Sequence, residues 1–218
     1  VSYEYEVCLK CHGASANKPQ PGGGPYGPYT RRQTMSFNRQ VDFQTTNPSY
    51  HPVFGARNNT EVPSLIAPWT ASSVMYCIDC HNNDSGTNAG GAGPQGPHGS
   101  IWPRLLERRL DLTDGTTESA AAYALCYKCH SQSSILADQS FGAHDRHIRG
   151  ERTACMTCHD PHGTTGNSTN NSHLVNFNLD EVTAVPFVAN TPRYEDTGAF
   201  AGGCYLVCHG KSHNPESY

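Results

Sequence analysis

The sequence predicts a mostly irregular single domain, with few short α-helices and at most a small β-hairpin. Three observations predict it. Only 36% of the 218 residues are hydrophobic and 9% aromatic, a thin supply for an ordinary core. The 21 glycines and 15 prolines interrupt the chain along much of its length, and both residues break regular structure. The ten cysteines form five closely spaced pairs, and histidine follows each pair at once.

Four pairs share one spacing: Cys8-Leu9-Lys10-Cys11-His12, Cys77-Ile78-Asp79-Cys80-His81, Cys126-Tyr127-Lys128-Cys129-His130 and Cys155-Met156-Thr157-Cys158-His159. CxxCH is the attachment signature of c-type haem. Each thiol adds to one vinyl group as a thioether, and the next histidine becomes the proximal iron ligand. His12, His81, His130 and His159 take that role. Structural zinc has no need of a histidine directly after every second cysteine.

The fifth pair, Cys204-Tyr205-Leu206-Val207-Cys208-His209, carries one extra residue. Two readings stay open for it. One is a fifth haem with His209 as proximal ligand. The other is a CxxxC disulfide, at home in an oxidising compartment. The cofactor is therefore haem c, five copies on the first reading and four on the second. Porphyrins are large apolar discs, so a packed array supplies most of the missing core. One domain, residues 1–218, is expected to wrap around it, with a loop-rich part over 1–69 holding the first motif and a haem-dense part over 70–218.

Taken in order, residues 1–16 place the first motif on a short helical turn. Glycine and proline forbid regular structure over 17–31. Pro52 biases His51 towards extended backbone, from which a histidine can reach over a haem. Residues 70–81 read as a short helix entering the second motif, and 84–99 as a loop ending at His98. Leu105, Leu106 and Leu110 stand near helical spacing. The best helical stretch is 117–130, alanine-rich and capped by Thr117. His144 and His147 share a face if 141–150 is helical. Residues 173–189 are rich in β-branched and aromatic side chains, the composition of a hairpin. The haem motifs recur at irregular separations, so the repeated unit is the cofactor site rather than a fold.

Seven histidines remain for the distal side of iron, and five suffice. Methionine is the competing ligand, but only Met35, Met75 and Met156 exist, and Met156 lies inside a motif. Bis-histidine iron follows, with lower potentials than His/Met iron. The favoured distal ligands are His51, His98, His147, His162 and His213, with His173 and His144 in reserve. His162, three residues after His159, points to a different iron, because one short turn cannot reach both faces of a haem. Six-coordinate iron leaves no position for substrate, which argues for electron transfer and against an enzyme. A small multihaem reductase with one open haem is the rival.

The formal charge of -4 is spread without long runs, so nothing points to nucleic acid. No apolar run approaches ~18 residues, so no membrane span is expected. Haem c is attached outside the bacterial cytoplasm, and Val1 reads as a mature N-terminus left by signal cleavage.

Residues 155–163 and Gly96-Pro97-His98-Gly99-Ser100 resemble the doubled-CxxCH multihaem cytochromes of metal-respiring bacteria, and residues 204–218 resemble the C-terminus of extracellular members. The resemblance covers roughly 70–218. It implies that His162 ligates a neighbouring haem. It also implies a subunit of an extracellular cytochrome filament, a nanowire. Such a homopolymer has haem-to-haem contact between subunits and exchanges electrons with other cytochromes or extracellular acceptors. The expected location is extracellular or on the cell surface, with the periplasm second. A monomeric electron shuttle is the alternative.

Overall fold

The computed structural model describes residues 1–14, 30–56 and 61–218. Most of the arm expected at 17–31 lies outside the described residues. What is described is largely turns and loops, with four short α-helices: α1 (Tyr5–His12), α2 (Arg39–Asp42), α3 (Gln132–Leu136) and α4 (Cys155–Cys158). Side-chain caps start two of them. The Asn38 carboxamide oxygen accepts from Gln40 N, and Ser131 Oγ accepts from Ser134 N, each satisfying a backbone donor that a helix start leaves unpaired. No described helix is long and apolar enough to cross a membrane.

Two expected helices shrink to single turns. Over 70–81 only Cys77–Asp79 is helical, as a 3-10 turn, and 117–130 is a run of turns closing in another at Cys126–Lys128. A short segment must offset the cost of helix nucleation by burying an apolar face. Here Ser119 offers an alternative. Its hydroxyl and its carbonyl both accept from Ala122 N, which bends the chain before a helix is established. Near residues 102–112 the leucine spacing yields one 3-10 turn, Pro103–Leu105, broken by positive φ at Arg104 and Leu105. Residues 146–150 form a π-helical turn that carries His147.

The expectation of at most a small hairpin is corrected. Strands β1 (Ser49–Tyr50) and β2 (Gly163–Thr164) pair antiparallel. A separate four-stranded antiparallel sheet contains β3 (Val182–Thr183), β4 (Arg193–Gly198), β5 (Ala201–Cys208) and β6 (Lys211–Ser217). β5 is central. β4 and β3 lie end to end along one edge of it, and β6 covers the other. Only β3 falls inside the 173–189 stretch chosen for its composition. The turn joining β5 to β6 has two residues, His209 and Gly210, both with positive φ (50° and 77°). This is the type I′ geometry that matches strand twist and favours glycine.

The apolar clusters are small. One gathers Val175, Phe177, Val182, Tyr194 and Leu206, with Cys158, Cys204 and Cys208 against it. The other gathers Ala122, Tyr123, Ile148 and Ala154, with Cys155 against it. In both, cysteines of the paired motifs form part of the wall.

Candidate functional site

All four CxxCH motifs lie on a tight right-handed turn, α1, α4 or one of the 3-10 turns at 77–79 and 126–128. In three of them the histidine N–H donates to the carbonyl of the first cysteine: His81 to Cys77 at 2.8 Å, His130 to Cys126 at 3.0 Å and His159 to Cys155 at 3.0 Å. The turn stacks both cysteines on one side, about 5 Å apart at the α-carbons for three helical residues of rise.

A second chain segment closes over these three histidines in one repeated pattern. His81 bridges antiparallel to Leu106, His130 to Leu65 and His159 to Val175. The residue after each partner donates its N–H to the second cysteine's carbonyl: Glu107 to Cys80, Ile66 to Cys129 and Asn176 to Cys158. The segment also holds the ring. Nδ1 of His81 meets Arg104 O at 2.8 Å, Nδ1 of His159 meets His173 O at 3.0 Å, and Nδ1 of His130 meets Ser64 Oγ at 2.9 Å. Two of these straps share an unusual backbone, positive φ at Arg104–Leu105 and at His173–Leu174. A ring whose Nδ1–H is committed to a carbonyl presents the Nε2 lone pair outwards, the usual state of a metal-ligating imidazole.

Opposite each ring stands another. His81 faces His162 with ring centres 6.2 Å apart and planes within 3°. His130 faces His51 at 6.5 Å, and His159 faces His144 at 6.5 Å. Imidazole nitrogens bind transition metals at about 2 Å, so two rings across one metal ion have centres roughly 6 Å apart. The partners are anchored too. His51 Nδ1 bonds Pro161 O, and His162 Nδ1 lies 3.5 Å from Asp160 Oδ1. His144 differs, since its Nδ1 is buried without a hydrogen-bond partner. Pairing of β1 with β2 brings His51 and His162 side by side, and His51 N donates to His162 O. Neighbouring sites two and three are thereby tied together.

Electrostatics suit neutral ligands. Burial, together with neighbouring histidines, pushes His144 down to about 3. Burial is also the main cause that takes His159 down to about 4 and lowers His81. Each therefore keeps a free lone pair at neutral pH. Burial likewise pushes the Cys80 and Cys204 thiols up to about 12 and Cys129 and Cys208 up to about 11. Such thiols stay protonated and are poorly suited to hold a bare ion as thiolates. Glu107, fully buried, lies between Lys128 at 2.8 Å, Asn82 at 2.9 Å and Arg108 at 3.4 Å, which ties the second motif's neighbour Asn82 to the third motif's Lys128.

Cysteines of successive motifs lie near one another. The Cys8 and Cys77 sulfurs lie within 4.8 Å of each other, and Cys126 and Cys155 are close enough to perturb each other's thiol. Cys80 is within electrostatic range of Cys129, and Cys158 of Cys204 and Cys208. The five pairs thus run through space in the order of the chain, an arrangement with no counterpart in the spacing of the sequence.

The remaining predicted residues are placed differently. Cys204 and Cys208 lie on β5, where four extended residues span roughly 13 Å, beyond the ~7 Å limit for the α-carbons of a disulfide. Nε2 of His209 is 2.8 Å from Asp114 Oδ2 and 3.3 Å from Thr153 Oγ1. Asp114 also accepts from Ala154 N at 2.8 Å and from Thr157 Oγ1. His173 Nε2 lies 3.3 Å from Asp196. His12 and His98 are exposed, and among the described residues no imidazole faces either. His147 faces His213 with centres 6.2 Å apart. Among the described residues two generic groupings of metal-capable side chains occur, Glu4–Cys8–Cys77 and Asp114–Cys208–His209.

Comparison with protein-family models, curated proteins and solved structures finds no match for this chain.

Proposed function

We propose that this chain is an electron-transfer protein carrying c-type haems on its CxxCH turns, held between paired histidines. The pairs are His81/His162, His130/His51 and His159/His144. The observation that carries this reading is the threefold recurrence of one arrangement: a motif histidine, its ring anchored at Nδ1, facing a second histidine across a gap sized for one metal ion. Each haem supplies a one-electron iron couple. The chain's own residues hold that couple at fixed coordination and limit its contact with water. Carbonyl acceptors at Nδ1 of His81, His159 and His51 make those rings more basic and fix their orientation. Two imidazoles per iron leave no substrate position, so the work of the protein is spacing and ligation rather than catalysis.

Proximity between cysteines of successive motifs supports attached groups that are neighbours in the order of the chain. Electrons then hop along a single file. The first motif favours a polymer over a shuttle. His12 is exposed at one end of this file, and a neighbouring subunit can complete its ligation there. The extracellular filament suggested by family resemblance is the form we favour.

Intact mass together with the ferric spectrum tests the core of this reading. At least four covalent haems are expected, predominantly low-spin. Fewer than four haems would overturn it, and a dominant high-spin spectrum with fast cyanide binding would favour the reductase.

A further inference from the structure

We infer that His147 and His213 form the axial pair of a fifth haem, tethered to β5 by a single thioether. This rests on the haem reading above. The pair reproduces the separation of the three CxxCH pairs, at 6.2 Å, yet neither residue belongs to a cysteine motif. His147 shows the same anchoring, Nδ1 to Ala143 O at 2.7 Å. His213 is buried on β6. Aromatic rings stand beside the pair. Phe141 packs 5.7 Å from His147 and 4.1 Å from Tyr218, which in turn stacks on Tyr194.

The tether follows from strand register. Leu206 pairs with His213, Cys204 with Glu216 and Cys208 with Lys211. Side chains two apart on a strand share a face, so Cys204, Leu206 and Cys208 present one face together with His213. Both thiols therefore flank this histidine. His209, at the turn, instead spends its Nε2 on Asp114. In the CxxCH turns the two α-carbons stand about 5 Å apart, while on β5 they stand roughly 13 Å apart. A porphyrin whose vinyl groups suit the first spacing is reached by only one thiol of the second. That thiol adds across a vinyl double bond, sulfur to one carbon and hydrogen to the other, so no oxidant, reductant or leaving group is involved. One cysteine of this pair remains a thiol.

The test is a cysteine inventory on the purified holoprotein. It is unfolded without reductant, treated with iodoacetamide and weighed intact. Five haems plus one alkylation are expected. Five haems with no alkylation would overturn the single tether. Four haems, with two alkylations or none, would overturn the fifth site and leave the four-haem reading standing. Fewer than four would remove the function on which the inference depends. Ligation is read separately by electron paramagnetic resonance. His213→Ala should convert one haem from low to high spin, whereas His209→Ala should leave every haem low-spin. The reverse result would return the axial role to His209.

Discussion

His162 stands three residues from His159 in sequence, yet its ring lies parallel to that of His81 with centres 6.2 Å apart. Its neighbours explain the direction. Asp160 accepts its backbone N–H at 3.1 Å and sits beside its Nδ1, while Phe43 meets the ring edge-on at 5.6 Å. On the proposed haem reading, replacing His162 by alanine removes one ligand and leaves His81 in place. The expected outcome is one haem turned high-spin, seen as a single new component in resonance Raman spectra, with the haem count by mass unchanged. If every haem stays low-spin, His162 is not a ligand. That its ring would turn to another motif's histidine was legible from its spacing. Which motif was not, because the choice depends on β1 meeting β2 across more than a hundred residues.

At the scale of elements, the β1–β2 pairing depends on a glycine. A β-carbon at Gly163 would lie 2.0 Å from Asp42 O, 3.0 Å from its carbonyl carbon and 3.2 Å from Tyr50 Cβ. Backbone on one side and a packed strand on the other cannot yield cheaply. Gly163→Ala should therefore cost about 1–3 kcal/mol, the usual range for overpacking, read as a lower urea midpoint. Because β2 carries the register of both His51 and His162, the same variant should disturb the sites of the second and third motifs before the fourth. The tight turns of the CxxCH motifs were legible because the proposed thioether attachment would demand them. The β5–β6 hairpin was not. Cys-His-Gly occurs at 11–13 and again at 208–210, with Gly13 ending a helix and Gly210 completing a strand turn. The preceding residues decide between them. Tyr205, Leu206 and Val207 favour a pleated, half-buried strand, and the sheet partners that β5 finds on both edges lie outside any local window. The straps over His81, His130 and His159 escaped for a related reason. Their sequences, Arg104-Leu105-Leu106, Ser64-Leu65 and His173-Leu174-Val175, share little beyond an apolar residue at the bridging position.

For the molecule as a whole, the proposed haem reading turns on what would stand opposite His12. Every one of the twelve histidines lies among the described residues. Eight of them stand in four facing pairs, His173 and His209 lie against carboxylates, and His98 is exposed on its own loop. If the first motif carries a haem as proposed, its sixth ligand comes from His98 after a loop movement, from a second copy of the chain, or from nowhere. These three cases separate under dilution. If a neighbouring subunit supplies the ligand, concentrated protein is fully low-spin, and dilution converts one haem to high spin as filaments shorten under the electron microscope. If His98 supplies it, the spectrum stays low-spin at every concentration, and His98→Ala produces the high-spin component. If nothing supplies it, one high-spin haem persists at all concentrations and binds cyanide rapidly, which is the behaviour of the reductase. The filament reading expects the first result. It also expects salt to matter little compared with dilution, because an iron–imidazole bond is not an exposed ion pair screened by electrolyte.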